Sequence, residues 1–95
     1  MDSRQRDRLP RVEPEEASFI ELKLALAAGI REVREKSGLT QTEVAAGLGS
    51  SQSRVAKMEA GDRTVSLDLL VRSLLAMGTT KRELARIISA PKRAA

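Results

Sequence analysis

Residues 41–60 read QTEVAAGLGSSQSRVAKMEA, and this stretch decides the fold. Thr40 precedes it, and Glu43 stands three residues after Thr40. At that spacing a threonine hydroxyl and a glutamate carboxylate satisfy two free amides at a helix start. A short helix follows through Gly47, and Gly49 breaks it with the left-handed backbone a tight turn needs. Ser51 caps a second helix that runs to about Ala60, where Gly61 ends it. Two short helices crossing at a steep angle need a small residue at the crossing, and Ala45 supplies it. Val44 and Leu48 on the first helix share a core with Val55 and Met58 on the second. The outer face of the second helix is left polar: Gln52, Ser53, Arg54 and Lys57.

Three more helices carry their own start and stop signals. The first runs from about Ser18 to Lys36, with Phe19, Leu22, Leu26, Ile30 and Val33 as a core stripe, and ends at Ser37-Gly38. Ser66 caps a fourth helix to about Met77, with Leu67, Leu70, Leu74 and Met77 buried and Gly78 as its end. Thr80 with Glu83 repeats the reciprocal cap and opens a fifth helix that Pro91 stops. Strand signals are nearly absent, so five helices with short connections and no sheet are expected. The first helix also has a second apolar face: Ile20, Leu24, Ala25 and Ala27. Either the fifth helix covers it, or a dimer or partner interface does.

The chain has 95 residues, enough for one compact domain with a tail. The expected division is a flexible charged arm over residues 1–16, a helical domain over 17–90 and a short basic tail over 91–95. The arm alternates Arg and Asp, contains Pro10 and Pro14, and is too polar to fold alone. With no apolar leader and no apolar run near 18 residues, neither a signal peptide nor a membrane span is expected. There is no His, Cys, Trp or Tyr, and one Phe. Disulfide scaffolds, the usual zinc sites and Ser–His or Cys–His catalysis are therefore excluded, and no enzyme activity or cofactor is expected. Base-stacking surfaces of the single-strand and RNA-binding kind lack their aromatic platforms. The net charge of +4 is concentrated at one end: residues 78–95 hold five basic groups and one acidic.

A scaffold helix, a tight turn and a second helix with a free outer face make a helix-turn-helix unit. Glutamine pairs with adenine, and Arg or Lys with guanine, when such a helix end enters the major groove. The plain alternative is an amphipathic helix that exposes ordinary polar residues. Gly38-Leu39-Thr40-Gln41, Glu43-Val44-Ala45, Gly49, and Ser51 to Gly61 with its Glu59-x-Gly61 resemble the Cro/repressor-type (XRE) helix-turn-helix family. The resemblance spans roughly residues 26–88. It implies a five-helix Cro/repressor-like domain and a set of DNA-contacting residues: Gln41, Ser51, Gln52, Ser53, Arg54, Lys57, Arg63 and Thr64. Gln41 would touch a phosphate and brace Gln52. Gln52, Ser53 and Lys57 would reach base edges, with Arg54 at the groove rim or on phosphate. Arg63 and Thr64 would contact the backbone of the same half-site. Arg34 and Glu59 align with a buried ion pair of structural role. The chain departs from the pattern at Ser50 (usually apolar), Asp62 (commonly basic) and Val65 (often Pro).

The resemblance further implies a cytoplasmic repressor, nucleoid-associated when bound, that grips a double-stranded DNA operator as a two-fold homodimer. Small solitary domains of this kind resemble phage repressors, restriction-modification controllers and HigA-like antitoxins. Met58 to Asp62 followed by Val65 to Asp68 looks most like the antitoxins, which repress their own operon. In that case the charged arm would capture a basic RelE/ParE-like toxin. The recognition helix is neutral, with Arg54 and Lys57 set against Glu59 and Asp62. That neutrality leaves open a protein-interaction module that has lost DNA binding.

Overall fold

The computed structural model of the chain describes residues 13–90. Among these residues five helices follow one another: α1 Pro14–Lys36, α2 Gln41–Leu48, α3 Gln52–Ala60, α4 Leu67–Ala76 and α5 Lys81–Ser89. No strand occurs among the described residues, as expected of an all-α domain. The helix starts are where the sequence puts them. Thr40, Ser51, Ser66 and Thr80 each accept a bond from the N–H three residues on. Glu43 and Glu83 complete the two reciprocal caps. Caps of this kind contribute about 1 kcal/mol each. Gly49 closes α2 at φ 65° and sets the turn into α3.

One boundary differs clearly from expectation, the start of α1, while α5 stops just short of Pro91 as expected. α1 begins at Pro14, four residues before Ser18, so residues 14–16 are helical and do not belong to the arm. Proline suits a first turn because its missing N–H has no partner there anyway, and Glu15 and Glu16 complement the helix dipole. α5 ends at Ser89, and Ala90 turns extended with φ −60° and ψ 141°. That conformation is favoured for the residue before a proline. The rest of the expected arm, residues 1–12, and the expected tail, residues 91–95, lie outside the described residues.

α1 is the axis of the domain and packs against α3, α4 and α5, while α2 packs on α3. Leu26 and Ile30 of α1 meet Val44, Ala45, Val55, Met58, Val65, Leu70, Leu74 and Ile87 in one core. Leu22, Val33, Leu48, Leu67 and Met77 pack against it, half-buried. Phe19 does not: it is 47% exposed. Periodicity assigns a residue to a face but does not say how far along the helix that face is covered. At 1.5 Å per residue α1 is about 35 Å long, whereas the helices packed on it have 9 or 10 residues.

The second apolar face of α1 is covered only in part, and from two sides. Ile87 of α5 sits on Gly29, where an added Cβ would lie 2.7 Å from Ile87 Cγ2. Arg86 reaches Glu32 at 3.6 Å across the same contact. Ala27 and one methyl of Leu24 meet Gly61 at the end of α3. Ile20 and much of Leu24 stay exposed.

Ser50 occupies a place where the resemblance expects an apolar side chain. Its N–H donates to the Ala45 carbonyl at 2.8 Å, as a helix end requires. Its hydroxyl is buried with no hydrogen-bond partner. A buried polar group without a partner costs about 1–3 kcal/mol. Ser50→Ala should therefore raise stability by about 1 kcal/mol. The effect would appear as a higher urea midpoint with an unchanged slope.

Candidate nucleic-acid interface

α3 is gripped on its inner side and open on its outer side. Val55 and Met58 are buried, while Gln52, Ser53, Arg54 and Lys57 are exposed. Ser51, the cap, accepts from the Arg54 N–H at 3.2 Å, and its hydroxyl lies 3.4 Å from that of Ser53. The cap thus fixes the first turn of α3, which carries three of the expected contact residues.

Gln41, the first residue of α2, lies half-buried beside this turn. Gln52 Nε2 donates to Gln41 Oε1 at 2.7 Å, so the expected brace is present. Gln41 Nε2 donates in turn to Glu59 Oε1 at 3.1 Å. The same carboxylate receives Arg34, with Nη2 at 3.1 Å from Oε1 and Nε on Oε2. Arg34 Nη1 also donates to the Leu39 carbonyl at 2.9 Å. The expected ion pair is therefore present, with side chains only 14% and 6% exposed. It ties α1 to the end of α3, and through Gln41 it continues to the start of α2 and to Gln52. The bond between Glu59 and Gln41, 18 residues apart, has no local signal in the sequence.

Arg63 and Thr64 form a separate group in the loop after α3, both exposed. Asp62 Oδ1 accepts from the Thr64 N–H at 2.8 Å and from the Thr64 hydroxyl at 2.6 Å. Both donors of Thr64 are taken up by Asp62, so Thr64 donates to a phosphate only by releasing it. The departure at position 62 thus does more than add a negative charge: it shapes the loop. Lys23 of α1, which nothing in the sequence singles out, reaches the Arg63 carbonyl at 3.4 Å and adds a cation beside the loop.

Among the described residues three carboxyls sit below their ordinary range. Burial alone would raise Glu59, but hydrogen bonds from Arg34 and Gln41, with the Arg34 charge, outweigh it. The Thr64 hydroxyl and N–H hold Asp62 down, and the Thr80 N–H and hydroxyl hold Glu83 down. A group with a depressed folded pKa stabilises the fold above its unfolded pKa and loses that contribution as pH falls through the folded value. Helicity followed by circular dichroism should thus be flat from neutral pH to about pH 5 and fall below about pH 4. A chain most stable at pH 3 would contradict these contacts.

The outer face of α3 presents amide, hydroxyl, guanidinium and ammonium groups, the set used for base edges and phosphates. Among the described residues no cluster of three or more metal-ligating side chains occurs, and no helix is long and apolar enough to cross a membrane. Compared with protein-family models, residues 30–84 match the family described as Helix-turn-helix. No curated protein and no solved structure matches the chain.

Proposed function

The chain belongs to this helix-turn-helix family, of XRE type, a family of DNA-binding transcriptional regulators, and from that premise we propose that it is a repressor reading one operator in duplex DNA. The observation that carries the reading is the braced Gln52. A glutamine exposed at the start of α3 and held at 2.7 Å by a second glutamine is oriented before any DNA arrives. Gln52, Ser53 and Lys57 read base edges. Ser51, Arg54 and Gln41 lie toward the phosphates, and Arg63 and Thr64 approach the backbone beside them. One module makes few contacts, so the chain acts as a two-fold dimer with half-sites about one DNA turn apart, roughly 34–36 Å.

Within this reading the chain is the antitoxin of a type II toxin–antitoxin pair that represses its own operon, acting on the nucleoid in the cytoplasm. The resemblance of residues 58–62 and 65–68 to such antitoxins supports this, and the charged arm suits a basic RelE/ParE-like toxin. Two measurements separate the levels. Anisotropy titration against duplex DNA from upstream of its own gene should show tighter binding than to an unrelated duplex, with log affinity falling linearly in log salt. Equal affinity for both duplexes rejects operator recognition. Co-purification with the product of the neighbouring gene tests the antitoxin role. If no such complex forms, the antitoxin role falls and the operator reading stands.

A further inference from the structure

We propose that Glu59, which faces no DNA, decides which end of the Gln52 amide meets the base, and so selects a base with an exocyclic amine, adenine foremost. The inference rests on the duplex-DNA reading above. It follows from counting donors and acceptors along a chain of four side chains.

An ionised carboxylate can only accept. Glu59 Oε1 lies 3.1 Å from the end of Gln41, so only the NH2 of that amide can face it. The Gln41 oxygen is thereby turned the other way, toward Gln52 at 2.7 Å. That oxygen can only accept, so Gln52 must turn its NH2 inward. The Gln52 oxygen is left pointing outward, with the second N–H beside it. Glu59 cannot rotate to relax this order, because Arg34 holds both of its oxygens.

An outward oxygen with an adjacent N–H complements the adenine N6 amine and N7 together. Cytosine offers its N4 amine for a single bond. Guanine and thymine present O6 or O4, an acceptor facing an acceptor. The polarity of one buried carboxylate is thus passed through two amides to the groove.

The order can be reversed without touching the recognition face. Gln41→Lys preserves the Arg34–Glu59 pair and presents only donors to Gln52, whose NH2 then swings outward. Arg34→Met with Glu59→Leu removes the carboxylate together with its partner and frees the Gln41 amide to turn either way.

The test is selection of duplexes from a randomised pool by the full chain, with sequencing of the bound DNA. The wild type is compared with Gln52→Ala, Gln41→Lys and the double variant Arg34→Met with Glu59→Leu, each checked for helicity by circular dichroism. The position whose preference disappears in Gln52→Ala is the one Gln52 reads. There the wild type should enrich adenine over guanine about tenfold. Gln41→Lys should swing that position to guanine or thymine, the double variant should lose the adenine preference there, and both should leave the other positions unchanged. A lost fold would leave them all flat. If the double variant does not fold, Gln41→Lys alone decides. A wild-type preference for guanine or thymine there, or an unchanged adenine preference in either folded variant, overturns the inference and leaves DNA binding intact. So does a Gln52→Ala profile identical to wild type. A wild type that enriches no sequence overturns operator recognition itself, and this inference with it.

Discussion

Arg34→Ala should lower the stability of the folded chain by about 3–5 kcal/mol, the cost of leaving a buried carboxylate without its partner. Glu59 is only 6% exposed and would keep just the Gln41 amide as a donor. The Leu39 carbonyl loses its donor in the same step. A small domain has about 5–15 kcal/mol in all, so the variant should unfold at a much lower urea concentration and be partly unfolded at 37 °C. Arg34→Lys should recover only part of the loss, because an ammonium cannot hold both carboxylate oxygens in the fixed fork of a guanidinium. The double variant Arg34→Met with Glu59→Leu should be more stable than Arg34→Ala, since it removes the stranded charge along with its partner. If Arg34→Ala costs under 1 kcal/mol, the pair behaves as a solvated surface contact.

Gln52→Ala with Lys57→Ala should abolish discrimination between operator and unrelated DNA while leaving the fold intact. Both side chains are exposed and neither belongs to the core. Each good contact to a base edge contributes about 1–3 kcal/mol of discrimination, so their joint loss corresponds to roughly 30-fold to 10⁴-fold in specificity. Non-specific binding should weaken far less, because only one cation is removed, and the salt slope should fall by no more than about one phosphate. Anisotropy titrations of both duplexes at one fixed salt concentration measure the ratio. A double variant that still favours the operator as strongly as wild type would rule out these two side chains as the readers.

Much of the fold is legible from local rules. Thr40, Ser51, Ser66 and Thr80 cap helices because a hydroxyl bonding an amide three residues on is a short-range event, visible without a third dimension. Gly49 is equally local, since its left-handed backbone is a property of one residue. What the sequence hides is reach. Phe19 continues the stripe of Leu22 and Leu26, yet nothing in the periodicity says that the neighbouring helices stop short of it. The Gly29–Ile87 contact is similar: a glycine inside a helix shows that something comes close, not what does.

The candidate site divides along the same line. The polar face of α3 and the Arg34–Glu59 pair are foreseen, the pair only through the family resemblance. The bond from Glu59 to Gln41 is not, because it depends on where three helices bring two side chains that are far apart in the chain. At position 62 the sequence shows an acid beside Arg63, but not that this acid holds both donors of Thr64.

α1 is one helix by geometry and two by protection. Its amides from about Leu26 onward lie under the core and should exchange with solvent deuterium only when the whole domain opens. The first two turns, from Pro14 to Phe19, have no such cover and should exchange through local fraying at a far smaller free energy. A profile along this single helix should therefore step upward near Leu22, and limited proteolysis should trim the chain back to that step before it cuts anywhere in the core.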